Sequence, residues 1–85
     1  MQILRTERFR KDFRRLPVDA QKRLGSAMEQ FVANPRYPAL RAKKMEGARD
    51  IWELRVGDNC RVTFEYGEGG VILRRVGPHD ILCRP

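Results

Sequence analysis

The sequence has 85 residues, with 18 Lys plus Arg against 11 Asp plus Glu and a net charge of +7. That length suits one domain, 1–85, with a single small core, and 41% apolar residues argue against a disordered chain. No apolar run is long enough to cross a membrane. The early polar turn after Ile3-Leu4 is unlike a signal peptide, and two Cys and one His are too few for a disulfide scaffold or a structural zinc site. No cofactor or metal is therefore expected, and a reducing, cytoplasmic setting is the simplest reading.

In chain order, Gln2-Ile3-Leu4 reads as a short strand. Thr6 is placed to N-cap a helix, with Glu7 in its first turn. Phe9, Phe13 and Leu16 follow at i, i+4 and i+7, one helical face, with Arg8, Arg10, Lys11, Asp12, Arg14 and Arg15 on the rest. Pro17 stops that helix. Asp19 is placed to cap a second, in which Ala20, Leu24, Ala27, Met28 and Phe31 form an apolar stripe and Asn34-Pro35 is the end. The short connection implies an αα-hairpin. Residues 35–48 read as a basic loop, with Leu40 and Met45 available to pin it to the core.

From Asp50 the apolar period changes to two. Trp52, Leu54 and Val56 alternate with Glu53 and Arg55; Gly57-Asp58-Asn59 is a turn; Cys60, Val62, Phe64 and Tyr66 alternate with Arg61, Thr63 and Glu65. A second turn, Gly67-Glu68-Gly69-Gly70, leads to a third strand over residues 71–76 whose phase is ambiguous. Gly77-Pro78 breaks it, and residues 79–83 read as a possible last short strand. The expected fold class is α+β: an N-terminal strand and helical hairpin packed on a curved antiparallel sheet of three to four strands, whose polar face is left open.

Charge and chemistry divide along the chain. Eight bases and three acids fall within residues 1–24, whereas residues 51–85 hold five of each. A basic excess favours a polyanionic partner or an acidic protein, or simply keeps the chain soluble. On the sheet, the alternation puts Arg55, Arg61 and Thr63 on the polar face, with Arg74 or Arg75 according to phase. Neighbouring strands lie about 4.7–4.9 Å apart, so these cations either converge on one anion or merely face water. His79, beside Asp80, is the one imidazole and a candidate acid or base; a turn His is also an ordinary surface residue. Lys43-Lys44 either clamps a phosphate or is a solvated loop pair. Cys60 falls on the apolar phase and reads as core.

Phe13-Arg14-Arg15-Leu16-Pro17, Asn34-Pro35, Lys43-Lys44-Met45-Glu46-Gly47, Ile51-Trp52-Glu53-Leu54-Arg55-Val56-Gly57, Cys60-Arg61-Val62 and Val76-Gly77-Pro78-His79-Asp80, in this order, span nearly the whole chain. Together they resemble the RelE/ParE superfamily of type II toxin–antitoxin toxins. The resemblance implies helices on a curved antiparallel sheet and a neighbouring antitoxin protein as partner. It also implies one of two activities: ribosome-dependent cleavage of mRNA, or poisoning of DNA gyrase without RNA cleavage. A diverged, weakly toxic antitoxin binder is a third reading. For the RNase branch the resemblance makes Arg61, His79 and Asp80 the catalytic set, with Lys43, Lys44, Arg55, Arg74 and Arg75 on phosphates. Relatives often end this motif in His-Asp-x-x-Tyr; here Cys83 stands at the tyrosine position, and a thiol cannot stack on a base as that ring does.

Overall fold

Short-range signals set the two helices. Thr6 Oγ1 accepts the Phe9 N–H at 3.0 Å and so caps helix α1, Glu7–Arg15. Helix α2, Val18–Ala33, begins directly after Pro17, which has no side-chain cap to offer. Asp19 therefore lies in its first turn and is not the expected N-cap. Instead Gln21 of α2 donates to the carbonyls of Phe13 and Leu16 at the end of α1, where Phe13 also accepts the Leu16 N–H. Of the expected stripe, Ala20, Leu24, Ala27 and Phe31 are buried, and Met28 is half-buried against the core.

The computed structural model describes residues 1–47 and 49–85. Its strands are β1 (Gln2–Arg5), β2 (Lys43–Lys44), β3 (Trp52–Val56), β4 (Cys60–Gly67) and β5 (Gly70–Gly77), with short 3-10 helices at Pro38–Leu40 and His79–Cys83. Among the described residues the sheet has five strands in the order β1-β5-β4-β3-β2. It is mixed: β3, β4 and β5 are antiparallel as expected, but β1 runs parallel to β5, pairing Gln2 with Gly70 and Arg5 with Leu73. This pairing demands close approach. A Cβ on Gly70 would lie 1.9 Å from the Gln2 carbonyl oxygen, so only glycine fits there.

Two other expectations are corrected. The loop over 35–48 contains a 3-10 turn and β2, because Lys43 and Lys44 pair with Glu53 and Trp52 at the sheet edge; residue 48 lies outside the described residues. Leu40 is buried, as its anchoring role requires. Residues 79–83 form a 3-10 helix, not a strand, and turn back onto the sheet after Pro78.

One face of the sheet and the helices share the core, built on Phe31, Leu54, Val62, Phe64, Val71, Leu73 and Val76. The Phe31 and Phe64 rings meet edge to face at 5.3 Å. Tyr66 is on this apolar phase too, but it is 47% exposed, packed only along one side by Trp52 and Phe64. The ambiguous phase of the third long strand has a physical cause. A β-bulge lies where Thr63 pairs with Arg75 but Phe64 pairs with Leu73, so Arg74 is the extra residue. Val71, Leu73 and Val76 therefore all reach the core while Arg74 and Arg75 both stay outside it.

Candidate anion site on the covered face of the sheet

The second face of the sheet is not open. The 3-10 helix His79–Cys83 packs across β4 and β5, with Ile81 buried against Gly77. Thr63, expected to be wet, is fully buried beneath it. The last two residues continue over the same face. Thr63 Oγ1 donates to the Pro85 oxygen at 3.3 Å, Arg74 Nε donates to it at 3.2 Å, and Arg75 donates to the Arg84 carbonyl at 3.4 Å. A hydroxyl and two guanidinium groups thus converge on oxygens supplied by the chain's own tail. The register runs this patch into a row across four strands: Lys43, Glu53, Thr63 and Arg75.

Each cation has a definite environment. Arg74 is ion-paired with Glu65 across the β4–β5 pair. Arg75 makes two hydrogen bonds to the Asp12 carboxylate, at 2.9 and 3.0 Å. Asp12 also accepts the Val76 N–H at 3.2 Å, at a point where β1 has ended and β5 has lost its strand partner on that side. Burial by itself drives the Asp12 carboxyl upward. The Arg75 and Val76 hydrogen bonds, helped by the charges of Arg75 and Arg8, outweigh it and leave the pKa below the ordinary 3.8. Its hydrogen bonds to Asp12 raise Arg75 above its ordinary value, against its desolvation, with the charges of Asp12 and the nearby Asp80 adding to the effect.

Arg61 departs most from the sequence expectation. It is 6% exposed, and its guanidinium donates to the carbonyls of Gly57, Asp58 and Cys60, at 3.4, 3.3 and 2.9 Å. It ties the β3–β4 turn together. Arg55, opposite it, is half-buried. Lys43 lies 3.6 Å from Glu53, and Lys44 lies 3.7 Å from Asp50 on the other phase of β2, so the lysine pair splits between the two faces. His79 and Asp80 are exposed at the start of the 3-10 helix. Arg74, Arg75 and Asp80 therefore share one region, with His79 next to Asp80 at the start of the 3-10 helix, Lys43 sits at the far end of its row, and Arg61 and Lys44 are engaged elsewhere.

The acidic partners Asp12, Glu53 and Glu65 escaped sequence reading, although each had a signal. Asp12 borders the Phe9–Phe13 stripe on α1, and the two glutamates alternate with apolar residues on strands that also carry cations. Among the described residues no cluster of His, Cys, Asp and Glu could hold a metal ion.

A sequence-family model described as the ParE toxin of the type II toxin–antitoxin system parDE matches residues 3–82. The chain belongs to this toxin family. Solved structures agree on the fold of the toxin. A chain of the RelB–RelE antitoxin–toxin complex from Methanococcus jannaschii is 27% identical, with a TM-score of 0.75 and 94% of each chain covered. The YoeB/ParE toxin from Agrobacterium tumefaciens has 14% identity and a TM-score of 0.76, covering 93% of this toxin and 99% of that chain. YafQ from E. coli has 17% identity and a TM-score of 0.74, covering 95% and 96%. A search of curated protein sequences finds no match. The toxin is thus a RelE/ParE-superfamily member over essentially its whole length.

Proposed function

We propose that this toxin is an mRNA endoribonuclease that arrests translation at the ribosome, with His79 as its proton-transfer group. One observation carries the reading: the 3-10 helix that starts with the exposed His79-Asp80 pair packs on the face where Arg74 and Arg75 donate to the chain's own oxygens of Pro85 and Arg84. In the reaction a ribose 2′-oxygen attacks its adjacent phosphorus, the bond to the 5′-oxygen breaks, and a 2′,3′-cyclic phosphate and a 5′-hydroxyl result. Imidazole exchanges protons near neutral pH, as removal of the 2′ proton and protonation of the 5′-oxygen both require. Arg74 and Arg75 would stabilise charge building on the phosphoryl oxygens, and Asp80 would orient the imidazole. Lys43 and Arg55 would contact flanking phosphates, with Lys44 further off. Arg61 would act by holding the β3–β4 turn, as a positioning residue.

The partner that restrains the toxin would be a cognate antitoxin. An apolar groove of about 770 Å³ between α1, α2 and β1, lined by Ile3, Phe9, Phe13, Leu24 and Met28, gives an amphipathic antitoxin segment a seat.

A gyrase-directed toxin that leaves RNA intact is a second reading. It is favoured by the commitment of the Arg61 guanidinium to backbone carbonyls and by the exposed thiol of Cys83 at the family's tyrosine position. The deciding experiment is inducible expression with transcript-end mapping, alongside a supercoiling assay. The RNase reading expects growth arrest with new mRNA ends, lost in His79→Ala although that protein folds. Intact mRNA with inhibited supercoiling would replace it by the second reading, and unchanged cleavage by His79→Ala would remove His79 from the mechanism.

A further inference from the structure

Helix α1 has two flanks of different chemistry. At 100° per residue, Phe9 and Phe13 face the core and the apolar groove, and Arg10 and Arg14 line that groove's rim. Both of those arginines lie within 4.0 Å of Glu7. On the opposite flank, Arg8, Lys11 and Arg15 fall at i, i+3 and i+7, so they stack along one line of the helix. Among the described residues none of these three forms an ion pair, although the Arg8 charge acts through space on Asp12. They line a second, shallow groove together with Glu7, Asp12 and Arg75, with no apolar side chain in its walls. Glu7 is taken up by Arg10 and Arg14, and Asp12 by Arg75, so the groove keeps three uncompensated positive charges. Arg75 belongs both to this groove and to the patch beside Asp80 and Arg84.

We propose that the Arg8–Lys11–Arg15 flank is the track along which the sugar–phosphate backbone of a single RNA strand approaches the candidate site, entering at Arg75. The inference rests on the RNase reading and extends it by naming the surface that holds the strand outside the scissile phosphate. The chemistry favours RNA over a protein segment. A docking peptide needs apolar burial to hold it, and the apolar groove lies on the other flank. A walled line of unpaired cations without apolar content suits a phosphate chain, whose binding is driven by counterion release. The spacing agrees as well: Arg8 to Arg15 spans about 10 Å at 1.5 Å rise per residue, enough for roughly two backbone phosphates.

The test measures binding alone, so it does not depend on cleavage. A fluorescent 2′-O-methyl RNA oligonucleotide, which lacks the attacking hydroxyl, is titrated with toxin by anisotropy across a range of KCl concentrations. Three proteins are compared: wild type, Arg8→Gln/Lys11→Gln/Arg15→Gln, and the control Lys22→Gln/Arg36→Gln, which removes two exposed charges away from this groove, each checked for helix content by circular dichroism. Each phosphate neutralised on a single strand contributes about 0.7 to the slope of log K against log salt. Loss of the track's roughly two phosphate contacts should flatten the slope by about 1.4, with affinity falling at least tenfold at low salt, whereas the control keeps the wild-type slope. An unchanged slope in the triple variant overturns the proposal, and so does equal flattening in both variants, which assigns binding to net charge alone. If the expected pattern appears but wild type cuts no RNA in cells, the track stands and the RNase reading fails. If cleavage is seen but the slope does not move, the track alone fails.

Discussion

Replacing Asp12 by alanine removes three contacts at once: both hydrogen bonds to Arg75 and the acceptor of the Val76 N–H. The Arg75 charge would remain with its side chain only 16% exposed in the folded protein. Removing one member of a buried ion pair costs about 3–5 kcal/mol. This pair sits near the rim, where Arg75 can turn partly to water, so the low end, about 3 kcal/mol, is expected. For a domain of this size each kcal/mol moves Tm by roughly 4–8 °C, giving a fall of about 12–24 °C. Asp12→Asn keeps an oxygen for Val76 while losing the charge, and should cost about half as much. The pH dependence has a definite sign. The folded pKa of Asp12 lies below its ordinary 3.8, so its stabilisation is fully present above the unfolded value and is lost as pH falls through the folded one. The gap between wild type and Asp12→Asn should thus be constant from neutral pH to about 5 and close in stronger acid. Urea unfolding followed by fluorescence of the single tryptophan, Trp52, measures both quantities. A cost for Asp12→Ala below 0.5 kcal/mol, or a gap that persists undiminished at pH 2.5, would refute this account of the β5 edge.

Other changes probe other parts of the fold. Gly70→Ala should abolish the β1–β5 pairing, since its Cβ meets the Gln2 backbone; amide exchange of residues 2–5 as slow as in wild type would contradict this. A chain ending at Cys83 frees Thr63, Arg74 and Arg75 from tail oxygens, and should bind the 2′-O-methyl oligonucleotide several-fold more tightly in the same anisotropy titration. Cys60 is buried and burial pushes its thiol pKa up, although Arg23 and Arg61 pull the other way. A thiol reagent should therefore label only Cys83 in native protein and both cysteines in urea, and rapid native labelling of Cys60 would count against the packing described.

Much of this architecture can be read from short-range pattern. The Thr6 cap, the Pro17 stop, the α2 stripe and the alternation in β3 and β4 are each written within a few residues, and burial follows them. What was hidden is non-local. No local signal tells β1 to lie parallel to β5, because the pairing joins opposite ends of the chain. The bulge was visible only as an uncertain phase at Arg74-Arg75, since one extra residue moves two outward positions together. Arg61 misleads for a related reason. An outward-phase arginine looks the same whether it faces water or folds back onto carbonyls, and the nearby turn at Gly57-Asp58-Asn59 was the one clue to the second outcome. Arg75, His79 and Asp80 were legible as chemistry, but the helix and tail that cover the sheet beside them were not.

The contact between β1 and β5 also has a consequence for synthesis. Thr6 reaches the Arg74 carbonyl across 68 residues of sequence, and the central β4 strand has its second partner only once β5 exists. Helices α1 and α2 emerge from the ribosome early but find no finished sheet to cover. Non-local closure of this kind comes late in folding. The charged face beside His79 is therefore completed only after residues 70–83 join the sheet, later than helices α1 and α2, whose contacts along the chain are local. The apolar groove between the helices waits on the same event, because Leu73 and the β5-paired strand β1 line it.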